Sequence, residues 1–261
     1  MRGNRFLGAC ALLALTTASR AAFVEVAAIQ VGGFFDGGIT PMNLPSHQNY
    51  YVGYGTTPGF GRTPERRSFF WFHLPEIDGE IVAASLKLKL LVSTSLIFGK
   101  GADPAVLDPT ETFQLGATMT SAGMMTSPGL TSGEIDTIFE AMDDFEVADP
   151  KEFSLASPPP IPTDIDIPLN MAGITALTMF EGSDLVFTGW MPSWSFDSRT
   201  SSGGDLIEPS ELIFGFSDVT GPAGMLVPMP VLTIAYEPVP EPATMTVLGL
   251  GLVALARKRR R

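Results

Sequence analysis

The 261-residue chain predicts an all-β fold, an antiparallel β-sandwich of jelly-roll type with one or two short helices. Apolar and polar residues alternate over many short runs, the period of a strand with one covered face. The runs are separated by clusters of Gly, Pro and Asp, with 27 Gly and 22 Pro in the chain, which is turn chemistry. One run, Phe69-Phe70-Trp71-Phe72, is apolar on both faces, as expected of a central strand covered on both sides. Among sandwiches, a jelly roll has long crossing loops that can absorb the Pro/Gly stretches.

The first element is a predicted signal helix. Arg2 and Arg5 precede the apolar run 6–15, and small residues at 16–22 suit signal peptidase, with cleavage after Ala21 or Ala22. Leu7-Gly8-Ala9-Cys10 spells a lipobox, but only Phe6 and Leu7 supply apolar chain before the cysteine. Cys10 leaves with the signal, so the remaining chain contains no cysteine and its core must hold the fold without disulfides.

The body, residues 23–237, reads as one exported β-sandwich domain. Residues 22–31 alternate loosely as a first strand, with Val24, Val26 and Ala28 on one side. Residues 49–55 form a short aromatic strand ending in Gly55. In residues 66–75, Phe69, Trp71 and His73 face one way and Phe70, Phe72 and Leu74 the other. After the Asp78-Gly79 turn, Leu86, Leu88 and Leu90 alternate with Lys87 and Lys89 in a half-exposed strand antiparallel to its predecessor. Strands are also predicted at 111–116, 153–155, 165–167, 184–189, 211–216 and 231–236. Ile135, Ile138, Phe139 and Met142 recur at helical spacing, and 171–179 is a second short helix. Residues 157–162 form a stiff polyproline connector.

The tail, residues 238–261, is organised differently. Val239-Pro240-Glu241-Pro242 is followed by the uncharged apolar run 243–256 and by Arg257-Lys258-Arg259-Arg260-Arg261. Pro238, Pro240 and Pro242 keep the linker extended. The apolar run reads as a transmembrane helix, and the five cations are a stop-transfer block for the cytoplasmic side. At about 1.5 Å per residue the run reaches about 21 Å, short of a bilayer core of about 30 Å. Snorkelling of the flanking cations and local thinning close that gap.

This triplet closely resembles the PEP-CTERM sorting signal of bacterial exported proteins. The resemblance implies that a transpeptidase-like exosortase recognises the tail and cuts at or near the box, with Pro240, Glu241 and Pro242 as substrate residues. It implies passage through the inner membrane, transient anchoring there, and delivery to the cell surface or extracellular matrix. More loosely, residues 47–53, Arg67-Ser68-Phe69-Phe70-Trp71-Phe72 and Ala84-Ser85-Leu86-Lys87-Leu88 resemble a jelly-roll-like module of such proteins, which implies a fold and no activity.

The chain carries a net charge of −12. Without the eight cations and one acid of its two ends, residues 22–238 hold 8 cations against 27 acids, a net −19. Such a surface repels nucleic acid and anionic lipid. Solubility accounts for it, and Ca²⁺ held between carboxylates is compatible with it. No other cofactor and no clustered metal site is expected. His47 and His73 are the only histidines, and no Gly-x-Ser-x-Gly elbow, His-Glu-x-x-His or phosphate loop occurs.

Asp164 and Asp166 share a strand face, as a solvated edge or as a carboxylate pair that could serve glycoside hydrolysis, which makes a secreted hydrolase of polysaccharide the alternative. Trp190, Trp194 and Phe196 cluster between strands as candidate glycan-stacking residues, or as a buried seal at one end of the sandwich. Tyr50, Tyr51 and Tyr54 admit the same two readings. The expectation is a non-enzymatic surface or matrix protein with a structural or glycan-associating role. Its processing partners would be signal peptidase and exosortase, and its ligand extracellular polysaccharide.

Overall fold

A computed structural model of the chain describes residues 21–36, 50–54, 56–57, 61–62, 65–90, 96–97, 109–192, 211–214 and 229–239, with Gly249 and Arg257 individually. Its strands are β1 (Ala22–Ala27), β2 (Gln30–Phe35), β3 (Val52–Tyr54), β4 (Thr56–Thr57), β5 (Gly61–Arg62), β6 (Arg66–His73), β7 (Gly79–Leu90) and β8 (Leu96–Ile97). They continue as β9 (Thr110–Thr118), β10 (Phe145–Glu146), β11 (Lys151–Ser154), β12 (Thr163–Pro168), β13 (Asp184–Trp190), β14 (Glu211–Ile213) and β15 (Val231–Pro238). Among the described residues three α-helices interrupt them, α1 (Ala122–Met125), α2 (Ser132–Glu140) and α3 (Met171–Met179), with a 3-10 turn at Ala141–Asp143 after α2.

Thirteen of these strands form two antiparallel sheets facing each other, and among the described residues β4 and β5 pair only with each other. One has the order β1-β15-β7-β12; the other runs β10-β9-β13-β6-β3-β14-β8, with β11 also on β9 and β2 also on β6. This is the all-β sandwich expected from the alternation. Leu86, Leu88 and Leu90 of β7, Ile165 and Ile167 of β12, and Leu232 and Ile234 of β15 meet Phe70, Phe72, Phe113, Leu115 and Phe187 of the larger sheet in one buried core.

The double-faced strand is central, as its pattern requires. Phe70 and Phe72 enter the core between the sheets, whereas Phe69 turns outward into a second cluster with Phe34, Ile135, Ile138, Phe139 and Met142. Helices α1 and α2 cover that outer face. Helix α2 begins at a capping box: Thr131 accepts from the Glu134 N–H, and Glu134 accepts from the Thr131 N–H. Arg67 fastens this cover to the sheet. It donates to the Phe139 carbonyl at 2.9 Å, pairs with Glu65 at 3.1 Å and Asp143 at 2.9 Å, and lies over the Phe139 ring.

Three sequence expectations are corrected. Residues 22–31 do not form one strand, because β1 pairs with β15 in the smaller sheet and β2 with β6 in the larger. The chain changes sheets at Ala28 and Ile29, whose N–H groups donate to the carbonyls of Pro230 and Trp71. Strand β7 does not pair with β6 but lies in the opposite sheet, so that the leucines of β7 and the phenylalanines of β6 face each other across the core. Of the strand expected at 211–216, residues 215 and 216 lie outside the described residues; the described ladder ends at Ile213, and Phe214 adopts φ 58, a left-handed conformation costly for a bulky residue. Its ring is compensated by packing against Tyr50, Phe113 and Phe153.

Candidate functional site

The end of β15 is where the body hands over to the tail. This strand lies between β1 and β7 and is therefore held on both edges. After a register shift between Ala235 and Tyr236, it pairs Tyr236 with Ile81, Glu237 with Glu80 and Pro238 with Gly79. The Val239 N–H then donates to the Asp78 carbonyl at 3.2 Å. Pro238 removes one donor, which a strand tolerates at its end. Gly79 is required by close approach, since a Cβ there would overlap the Glu237 carbonyl. At the same end, Ala22 lies opposite Tyr236, so the first residue of β1 and the last residues of β15 are neighbours.

Residues 238–261 match the family model described as the PEP-CTERM protein-sorting motif. The chain carries a PEP-CTERM sorting motif. The motif marks an exported, exosortase-sorted protein and implies cell-surface sorting. It begins at the last paired residue of the folded body. Val239 follows at 58% exposure, while Pro240, Glu241 and Pro242 lie outside the described residues. Of the terminal cations Arg257 alone is described, and it is exposed; Lys258, Arg259, Arg260 and Arg261 are outside. Among the described residues no helix is long and apolar enough to cross a membrane, and of the apolar run 243–256 only Gly249 is among them. No curated protein matches the chain.

The aromatic candidates separate. Trp190, the last residue of β13, is only 7% exposed, and its six-membered ring lies over Gly116, where an added Cβ would come within 2.5 Å of it. Its face is covered by protein, so it is corrected from a glycan-stacking candidate to a packing residue. Trp194 and Phe196 lie outside the described residues. Tyr50 is buried, and its hydroxyl accepts from the Lys89 N–H at 3.0 Å and donates to the Lys89 carbonyl at 3.3 Å. These bonds occupy a stretch of β7 beyond the β15 register, which starts at Lys87. Burial pushes the Tyr50 phenol up to about 12, with the hydrogen bond to Lys89 opposing that rise and Asp164 adding to it.

Tyr51 covers the guanidinium of Arg66 at 4.0 Å from its ring centre. Burial holds that guanidinium below its ordinary range, and Tyr51 partly offsets the shift. The side chain of Tyr54 lies outside the described set.

The polar candidates meet partners across strands. Asp164 stands opposite Lys89 and Asp166 opposite Lys87, and the Asp164 carboxylate lies 3.1 Å from Lys89 Nζ. The pair therefore belongs to a charge ladder on the outer face of the smaller sheet. His73 ends β6 on the surface with Nδ1 2.8 Å from Asp184, its cross-strand neighbour. His47 lies outside the described residues. No group of three His, Cys, Asp or Glu that could hold a metal ion occurs among the described residues.

Sequence reasoning missed the lock around Gly79, Asp78 and Val239. Its one local signal was the Asp78-Gly79 turn, but the strand that closes on this turn comes about 160 positions later. It also read Arg67 as part of a recurring strand pattern without seeing its partners on α2 and the turn that follows.

Proposed function

We propose that the chain is an exported, non-enzymatic jelly-roll protein displayed at the cell surface or in the extracellular matrix, where it plays a structural or glycan-associating part. Residues 1–22 act as the signal peptide, 23–237 as the displayed domain, and 238–261 as a temporary membrane anchor removed by exosortase. The observation that carries this reading is the junction itself, where the sorting motif starts at the residue that closes the β-ladder.

The jelly roll is supported by strand order. Strands β1, β6, β7, β9, β11, β12, β13 and β15 pair as β1-β15-β7-β12 and β6-β13-β9-β11, two interleaved antiparallel sets of four. By strand direction, the β7–β9, β11–β12 and β13–β15 connections join the strand ends away from the β15 exit. Trp194 and Phe196 belong to the last of these connections and now carry the glycan reading without Trp190. The protein would thus be attached at one end and offer loops at the other.

Two measurements test this. Mass spectrometry of the protein from its host should find no peptide beyond about Ala243, and an intact Arg-rich tail in released material would refute the sorting. Retention of the secreted protein on the host's own polysaccharide, lost in Trp194→Ala with the melting temperature unchanged, would establish glycan association. Release by a calcium chelator would add Ca²⁺ to it. Failure to be retained under either condition would leave the structural role.

A further inference from the structure

We infer that the exit end of the sandwich, formed by residues 74–80, 180–184 and 236–239, is a docking face for the exosortase that processes the tail. The inference rests on the sorting reading above. Four residues, 239–242, separate the last ladder residue from the apolar run, and the box begins two residues beyond the ladder. Fully extended, the chain from Pro238 to Ala243 spans at most about 17 Å, and that from Pro238 to Pro240 about 7 Å. An enzyme that grips Pro240-Glu241-Pro242 therefore has the folded body against its surface, with no slack to swing away.

The body presents a built platform at this distance rather than a loose end. The Leu74 N–H donates to the Ser183 carbonyl at 2.9 Å, tying the β6–β7 connection to the α3–β13 connection. The Glu76 side chain lies over Gly182, where an added Cβ would sit 3.2 Å from Glu76 Cγ. Asp184 meets His73 at 2.8 Å, and Val239 is bonded to Asp78, so the β6–β7 connection sets the exit direction. Glu76, Asp78, Glu80, Asp184 and Glu237 are all exposed on this end. An anionic lipid surface would repel such a face, which favours a protein with complementary cations as its occupant.

The test uses the full-length chain in its host, with Cys10→Ala leaving no native cysteine. A thiol-directed photo-crosslinker is placed at Glu76→Cys on the platform or at Ala156→Cys before β12, with a catalytically inactive exosortase holding the complex. Adducts with the exosortase should form from position 76 about tenfold more than from position 156, since tethering fixes a high local concentration for one end only. A flexible spacer of about twelve Gly/Ser residues after Pro238 adds about 19 Å of mean reach and should still leave position 76 ahead, since a docked face is held by its own contacts and not by the tether alone. Equal adducts from both positions, with or without the spacer, would overturn the docking face. If the tail is cut by active exosortase and position 76 still gives no adduct, the face fails alone. If the unmodified tail is never cut, the sorting reading fails and the face with it.

Discussion

Tyr50→Phe removes one oxygen and leaves two backbone groups without their partner. The Tyr50 hydroxyl satisfies both the N–H and the carbonyl of Lys89, and its side chain is 1% exposed. Losing two such bonds in a buried place should cost about 2–4 kcal/mol, because the orphaned groups keep their desolvation penalty. The same hydroxyl makes stability depend on alkali. The folded phenol is raised from its ordinary value of 10.0 to about 12, so its contribution is complete below pH 10 and is lost as pH rises through 12.

The full loss is about 3 kcal/mol, of which roughly half should be gone by pH 11. Urea unfolding of the secreted protein and of Tyr50→Phe at pH 8 and pH 11 measures both effects. The variant should start lower and fall less between the two pH values, by on the order of 1 kcal/mol. Parallel falls in the two proteins would refute the assignment of the phenol to this buried bond.

Trp190→Ala should cost about 3–5 kcal/mol in urea unfolding without reducing polysaccharide retention, as expected of a core ring and not a stacking platform. Gly116→Ala should destabilise by about 1–3 kcal/mol, because the new Cβ meets the Trp190 ring and the Phe145 carbonyl. Lys89→Met and Asp164→Asn should each shift the unfolding midpoint by less than about 1 kcal/mol, the scale of exposed ion pairs. Glu134 is held below its ordinary value of 4.5 by the Thr131 N–H and hydroxyl, so its contribution is present at neutral pH and drains as pH falls through that depressed value. Glu134→Gln should flatten this part of the acid-unfolding profile, and an unchanged profile would remove the capping box from the account.

Much of the fold was legible because strand alternation is local. The facing of Phe69 against Phe70, the leucine stripe of β7 and the spacing of Ile135, Ile138 and Phe139 each follow from side-chain geometry within a few residues. The tail was legible for a similar reason, since its prolines, apolar run and cations act in sequence order and need no partner from the body. Pairing was not legible in that way. Nothing local to residues 22–31 says that the chain changes sheets at Ala28, and the pattern of β7 is the same whether it pairs with β6 or faces it.

The site candidates divide along the same line. Residue type nominated Trp190 and the Asp164/Asp166 pair, but their roles depend on Gly116, and on Lys87 and Lys89, brought beside them by strand register. By itself the sequence determined the strand periods, the acidic cysteine-free body and the sorting tail, because these are properties of consecutive residues. Only the tertiary structure decided that Tyr50 closes the β7 ladder, that Arg67 clamps the helical cover, and that the chain leaves for its tail bonded to the Asp78-Gly79 turn. Each of these joins residues far apart in the chain, and a contact of that kind is set by packing and register, which short-range pattern does not encode.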